Sequence, residues 1–140
     1  MPKAKPFTSD PAEVSARMRL IRGKNTKPEL LLFSILSAAG IPFEPHVRIG
    51  PIEADAKVNG FVLIFVDSPF WHLRHEHQLQ RLSPYWRTRL VRNKRRDERE
   101  RRRLRKLGFS VVRFWADEIK EQRVLSRIRR ILTIKRQVER

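Results

Sequence analysis

Two aspartates stand where neighbouring strands would bring them together. Asp55 precedes an Asn59-Gly60 turn signal, and Asp67 directly follows the apolar run 61–66. A hairpin closed at Asn59-Gly60 would place residue 55 roughly opposite residue 64, and therefore about three residues along from Asp67. Paired carboxylates are ligands that Mg²⁺ prefers, and such a metal activates water for phosphodiester cleavage. The alternative is a pair of strand-end acids that face solvent.

A lysine and a histidine are candidates for handling the attacking water. Lys57 lies two residues after Asp55, on the same face of the predicted strand, where nucleases use a lysine to hold water. In so basic a chain, Lys57 can equally be a surface residue. Histidine is a common general base, so His72 could accept a proton from water, or it could be structural. His75 and His77 are too closely spaced, in a chain without cysteine, to favour zinc.

Aromatic and basic side chains surround these groups. Phe70 and Trp71 stand in a polar stretch, where they could wedge between bases or instead pack into the core. Residues 87–106 are dominated by Lys and Arg, whereas a solvated helix face usually mixes signs more evenly. This pattern favours phosphate contact. Asp97, four residues after Asn93 on the same helix face, is either an ion-pair partner or the orienting partner of a catalytic histidine.

Composition narrows the possible partners. The chain has 140 residues, a net charge of +17 and no cysteine, which excludes disulfides and thiolate zinc sites. No apolar run approaches the roughly 20 residues of a membrane-spanning helix. Such a charge favours nucleic acid, with a ribosome-type basic protein or an anionic membrane surface as alternatives. We expect an intracellular, cytoplasmic protein with no membrane association.

Periodicity and turn residues predict the elements that position these groups. The order is α-α-β-β-β-α-β-α, which predicts an α/β fold with a small mixed sheet flanked by helices. We expect a flexible basic arm over residues 1–15 and a single domain over residues 16–140. The predicted elements are a first helix from Asp10 that ends at Gly23, a second from Thr26 to Gly40, extended segments 41–48, 52–58 and 61–66, a helix 84–106, a strand 109–115 and a helix 117–138.

Several of these blocks together resemble the very short patch repair endonucleases. The blocks are Arg22-Gly23-Lys24-Asn25-Thr26-Lys27-Pro28-Glu29-Leu30, Asp55, Ile64-Phe65-Val66, Phe70-Trp71-His72, Tyr85-Trp86, Arg92-Asn93, Arg96-Asp97, Leu107-Gly108-Phe109 and Trp115. The resemblance covers residues 16–119, in the same order and at nearly the same spacings.

The resemblance implies a restriction-endonuclease-like three-layer fold, a double-stranded DNA substrate, and a nick in one strand beside a T·G mismatch. It implies two Mg²⁺ ions on Asp55, with Glu29 supporting metal-bound water. His72 would activate water with Asp97 as its support. We assign DNA contact to Arg22, Lys24, Lys27, Lys57, Phe70, Trp71, Trp86, Arg92, Asn93 and Arg96, the aromatic residues acting as wedges beside the target base.

The chain also departs from the family pattern. Asp67 stands where the family commonly has a histidine, which makes it a candidate second metal ligand. Pro69, Arg74, Glu76 and Asp117 fall where zinc-binding cysteines and a histidine are expected, so we expect no structural zinc. Mismatch specificity therefore stays open.

Three alternatives remain: a homing or mobile-element endonuclease of the same fold, a DNA-binding pseudo-nuclease, and a basic RNA-binding protein. We expect no small-molecule cofactor and favour a monomer.

Overall fold

A four-stranded sheet organises the part of the chain that the computed structural model describes, namely residues 26–69, 72 and 74–139. The predicted N-terminal arm and first helix lie outside these residues. The elements are α1 (Lys27–Ala38), β1 (Phe43–Ile49), β2 (Ile52–Val58), β3 (Val62–Asp67), α2 (Pro84–Lys106), β4 (Ser110–Trp115) and α3 (Glu121–Glu139), with 3₁₀ turns at Glu76–Arg81 and Ala116–Glu118.

The strands follow each other across the sheet in the order β1-β2-β3-β4. The pairs β1–β2 and β2–β3 are antiparallel, and β3 pairs with β4 in parallel. Parallel neighbours need a crossover, and α2 provides it. The predicted α/β fold with a small mixed sheet is confirmed.

Helices cover both faces of the sheet. One face packs against α1 and α3 through a core that includes Leu36, Ile64 and Ile128, and the other packs against α2 through Leu63 and Leu104. The central strand β3 is buried on both faces, as its uninterrupted apolar run predicts. Among the described helices, none has the combination of length and apolar character that would be required to cross a membrane.

The β2–β3 connection differs from the two-residue hairpin that Asn59-Gly60 suggests. Val58 pairs with Val62, so the loop also contains Phe61. Asn59 and Gly60 both have positive φ, 54° and 78°, as the turn signal predicts. Because of the extra residue, Ile64 lies opposite Ala56, and the predicted pairing of residues 55 and 64 is wrong by one position.

The buried face of helix α2 contains polar residues in the middle of the helix. Its buried positions are Trp86, Leu90, Asn93, Asp97, Arg101 and Leu104. Their spacing of three or four residues forms one helical stripe, which is apolar at both ends and polar in the middle. Buried polar side chains need partners, so the middle of α2 is where a polar site is expected beneath the helix.

Candidate active site

Strands β2 and β3 separate at Asp55. Their paired residues run from Val58–Val62 to Ala56–Ile64. Beyond that point, the Val66 backbone N–H donates a hydrogen bond of 2.6 Å to Asp55 Oδ2. A side-chain oxygen thus accepts a bond that a regular ladder would give to a backbone carbonyl, and the Asp55 carboxylate occupies the gap between the strands.

Strand β2 also changes face at Asp55. Ile52 and Ala54 belong to the core beside α2, whereas Ala56 and Val58 belong to the core beside α1 and α3. Alternate residues of a regular strand would all share one face. The strand therefore turns over around Asp55, which places this carboxylate at a bend rather than on a flat sheet face.

The neighbouring strand is distorted at the same level. Pro45 pairs with Ala56 and Val47 with Ala54, so His46 lies opposite Asp55. His46 has a φ of 51°, a left-handed conformation that is uncommon for residues other than glycine. Both strands of the β1–β2 hairpin thus depart from regular geometry at the same point.

Glu29 joins these two residues from α1. Thr26 is the N-cap residue but forms no side-chain capping hydrogen bond, and Glu29 in the first turn is buried. One ligand atom each from Glu29, His46 and Asp55 lies within 4.8 Å of the others, and His46 Nε2 is 3.9 Å from Glu29 Oε2. Two carboxylates and an imidazole form a donor set that suits a divalent cation.

The electrostatics of Asp55 also fit a cation. Its pKa rises from the ordinary value of 3.8 to about 7. The main cause is burial, which raises the pKa, whereas the hydrogen bond from Val66 lowers it. Repulsion from the carboxylates of Glu29 and Asp67 and a hydrogen bond with Glu29 raise the pKa further. A bound cation would relieve this repulsion, so the residues present fit a metal ion.

His72 and Asp97 form a second pair beside Asp55. His72 Nδ1 is hydrogen-bonded to Asp97 Oδ2, and His72 Nε2 lies 3.5 Å from Asp67 Oδ1. Burial on its own would raise the pKa of Asp97, but the hydrogen bond and charge of His72, together with Arg101 and Arg96, bring it below the ordinary value. An ionised Asp97 holds the imidazole by Nδ1 and leaves Nε2 available for proton transfer.

Asp67 lies in a different environment from the one its position suggests. It is only 2% exposed, and Arg101 contacts both of its oxygens, with Nη1 at 2.6 Å from Oδ2 and Nη2 at 2.9 Å from Oδ1. Arg113 Nε is 2.8 Å from Oδ2. Because these arginines compensate the charge of Asp67, its contacts favour a role in a buried ion pair over the predicted role as a second metal ligand.

One small cavity of about 200 Å³ brings the predicted residues together. Its lining includes Asp55, Asp67, His72 and Asp97, with Arg101 beside them. Sequence positions from β2, β3, the loop after it and α2 therefore meet at one point.

Other predicted residues lie elsewhere. Lys57 forms an ion pair of 3.2 Å with Glu44 on β1 and is absent from the described lining of the cavity. Trp86 is only 5% exposed, so its ring does not project from the surface as the predicted wedge would. The adjacent Tyr85 is 61% exposed and is the accessible ring of that turn.

The remaining predicted DNA contacts divide by exposure. Lys27, Arg92 and Arg96 are exposed, as phosphate contacts require, whereas Asn93 is buried. Arg22, Lys24, Phe70 and Trp71 lie outside the described residues.

An ion pair joins Arg74 and Asp117, two positions at which the family pattern has zinc ligands. Arg74 Nη1 lies 3.2 Å from Asp117 Oδ1, and Arg74 also contacts Glu118. The guanidinium lies 5.2 Å from the ring centre of Trp115. These side-chain contacts link the loop after β3 to the end of β4, in the region where the family pattern has a zinc ion.

His46, Arg101 and Arg113 were missed as site residues. His46 could have been found from the Gly50-Pro51 turn, since a hairpin closed there fixes His46 opposite Asp55. Arg101 could have been suspected from its four-residue spacing after Asp97, which places both on one helix face. No local signal marks Arg113, because its partner Asp67 lies on another strand.

Comparisons with known proteins identify one matching family and several relatives. The family described as DNA mismatch endonuclease Vsr matches residues 8–78. A type II nicking enzyme of Xanthomonas oryzae pv. oryzae is 31% identical over 121 residues, which span 82% of this chain and 88% of that protein. A type II nicking enzyme of Neisseria meningitidis serogroup C is 30% identical over 107 residues, spanning 73% and 72%. The DNA mismatch endonuclease Vsr of Escherichia coli K12 is 30% identical over 110 residues, spanning 76% and 70%.

Proposed function

The chain belongs to the DNA mismatch endonuclease Vsr family, and we propose that it is a metal-dependent endonuclease that nicks one strand of duplex DNA. The observation that carries this proposal is that Asp55 belongs both to the Glu29–His46–Asp55 group and to the lining of the cavity that contains the His72–Asp97 pair. A protein that only binds nucleic acid has no need of Asp55, a buried carboxylate that is repelled by Glu29 and Asp67.

The chain's own residues divide the work of hydrolysis. Asp55 and Glu29 would hold the cation, Mg²⁺ in the simplest case, by their carboxylate oxygens. When bound, a divalent cation lowers the pKa of water and offsets charge on the scissile phosphate. His72 Nε2 would accept a proton from the attacking water. Asp97 would keep the ring oriented and stabilise its protonated form.

The basic surface supports DNA as the substrate. A groove of about 460 Å³ between α2, β4 and α3 is lined mostly by arginines, including Arg102, Arg105, Arg113 and Arg127. Arg113 also contacts Asp67 of the catalytic cavity, so the groove begins directly beside it. A DNA backbone that leaves the cavity on this side would release its own condensed counterions as these arginines neutralise its phosphates.

The test is a time course of plasmid cleavage with Mg²⁺, with EDTA as the metal-free control. We expect supercoiled plasmid to become open circular before any linear product accumulates. Asp55→Asn should abolish nicking, and His72→Ala should slow it by roughly 10²–10⁴-fold. Asp117→Asn and His77→Ala are matched controls because both side chains are exposed and outside the described cavity lining. Parental activity in Asp55→Asn, with an intact circular dichroism spectrum, would refute the proposal.

A second measurement addresses the substrate. The relatives' names include both a DNA mismatch endonuclease and type II nicking enzymes, so a mismatch is one of two substrate hypotheses. Oligonucleotide duplexes that differ only in one T·G or T·A pair separate them. Equal nicking of both duplexes would favour an endonuclease that does not require a mismatch, whereas binding without cleavage of either would favour a pseudo-nuclease.

A further inference from the structure

We propose that His46 is a third ligand of the metal site, so that Glu29, His46 and Asp55 together form a mixed nitrogen–oxygen site that selects imidazole-binding transition metals over Mg²⁺. This inference rests on the proposed metal-dependent function and goes beyond it, since it concerns which ion the site prefers. It assigns a role to a residue that was not among the site residues predicted from the sequence.

The distances allow all three residues to share one ion. Metal–nitrogen and metal–oxygen bonds to such ions are about 2.0–2.2 Å, so two ligand atoms on one ion lie roughly 3–3.5 Å apart. His46 Nε2 and Glu29 Oε2 are 3.9 Å apart, and the three ligand atoms all lie within 4.8 Å of one another. An ion bound by all three residues would therefore draw their ligand atoms closer together by about 1 Å.

The backbone at His46 provides an independent observation. A φ of 51° in the middle of a strand is strained for a histidine, and such strain concentrates at functional sites. The strained residue lies directly opposite Asp55, at the level where β2 turns over. A residue with no role at this bend could be glycine or asparagine, which adopt positive φ more readily.

The surroundings hold the imidazole in place. Its side chain is only 19% exposed, and its ring meets the Phe33 ring edge-on at 5.7 Å. On the other side, His46 Nδ1 lies 3.7 Å from Glu53 Oε1. A carboxylate beside Nδ1 is the usual outer partner of a metal-binding histidine, because it fixes the ring so that Nε2 faces the ion. Here Nε2 is the nitrogen that faces Glu29.

The nature of the donor atoms determines which ion is preferred. Mg²⁺ takes oxygen ligands in near-ideal octahedral geometry, whereas imidazole suits later transition metals. Removal of the nitrogen should therefore affect the two classes of ion unequally. Co²⁺ is a suitable probe because its visible spectrum reports the ligands around it, independently of cleavage.

The experiment measures Co²⁺ and Mg²⁺ affinity by calorimetry on the full chain without DNA, for the parent, His46→Gln and the matched control His77→Gln. Loss of an outer-shell partner already costs about 10–100-fold in metal affinity, so loss of a direct ligand should weaken Co²⁺ at least 10-fold. Mg²⁺ affinity should change by less than about 3-fold, since glutamine still offers an oxygen. The Co²⁺ spectrum should change in His46→Gln and remain parental in His77→Gln.

An equal loss of Co²⁺ and Mg²⁺ affinity, or no loss of either, would overturn the proposal and leave His46 as an orienting partner of Glu29 and Glu53. If His46→Gln does not fold, His46→Asn replaces it, because asparagine tolerates positive φ and its short amide does not reach the ion. Failure of the proposed function would look different. The parent would then show no plasmid nicking with either ion, whatever the metal affinities.

Discussion

Asp55 should destabilise the metal-free protein at neutral pH, although the proposed function depends on it. Its pKa rises from 3.8 to about 7 because the carboxylate is buried beside Glu29 and Asp67. Each pKa unit corresponds to about 1.4 kcal/mol, so the ionised form costs the native state up to about 4 kcal/mol. Asp55→Asn removes this charge and keeps an oxygen that can accept the Val66 N–H. We expect the variant to be more stable than the parent by about 1–3 kcal/mol at pH 8.

The sign of the pH dependence follows from the proton count. Between pH 3.8 and about 7, native Asp55 holds a proton that the unfolded chain has released. Because the native state binds more protons there, the stability of the parent falls as the pH rises through this window. The asparagine variant lacks this dependence. The difference in stability should therefore be smallest near pH 4 and largest above pH 7.

Urea denaturation of both proteins at several pH values, in EDTA, measures this difference. A constant difference across the window, or a parent that gains stability over the variant as the pH rises, would refute the electrostatic reasoning. Addition of a divalent cation should then reverse the order at pH 8. The ion stabilises only the protein that binds it, by RT ln(1 + [metal]/Kd).

Four further outcomes follow from the same structure. Asp97→Asn should slow nicking by about 10²-fold in single-turnover assays, with little change in DNA affinity, and unchanged kinetics would contradict the orienting role. The parent should also be more stable than this variant, and that advantage should vanish as the pH falls below 3.8 and through the lowered native pKa of Asp97. Arg101→Met should lower the free energy of unfolding, measured by urea denaturation, by about 3 kcal/mol, because Asp67 then lacks its main counter-charge. Asp67→Asn in the same chain should restore part of this loss, and additive losses would contradict the ion pair. Replacement of Arg105 and Arg127 by glutamine should lower the slope of log K against log salt by about 1.8 on duplex DNA, and an unchanged slope would exclude the groove from binding. Elemental analysis after dialysis against EDTA, which removes exchangeable ions from the proposed Glu29–His46–Asp55 site, should find no structural zinc, and one zinc per chain that is lost only on unfolding would contradict this.

Local patterns predicted the elements well where the chain is clearly punctuated. Strand β2 and helix α2 begin and end at the predicted residues, since Pro84 suits a helix start and Gly108, with a φ of 100°, follows its end. The register of the β2–β3 hairpin was missed by one residue because Phe61 is apolar and looks like part of the strand. Its backbone N–H instead closes the turn on the Val58 carbonyl.

The site was predictable only in part, and the reason is the range of the contacts. The resemblance placed Asp55, His72 and Asp97 together, and they do line one cavity. The environment of Asp67 depends on Arg101 from α2 and Arg113 from β4, which no local pattern connects to it. A pattern-based strand also assumes regular alternation, and it therefore cannot anticipate that β2 changes face at Asp55.

The distribution of charge around the cavity explains how so basic a chain could keep an acidic centre. Arginines compensate Asp67, and His72 with nearby arginines stabilises ionised Asp97. At the point where Asp55 lies, the described residues provide no such arginine contact, and the burial of Asp55, followed by repulsion from Glu29 and Asp67, raises its pKa. A cation is most strongly attracted to that point, while the arginines around the cavity attract phosphate. Arg101, which is buried, and Arg113, which is exposed, both contact Asp67 and both line the basic groove, so the compensation of Asp67 and the cationic surface share the same two side chains.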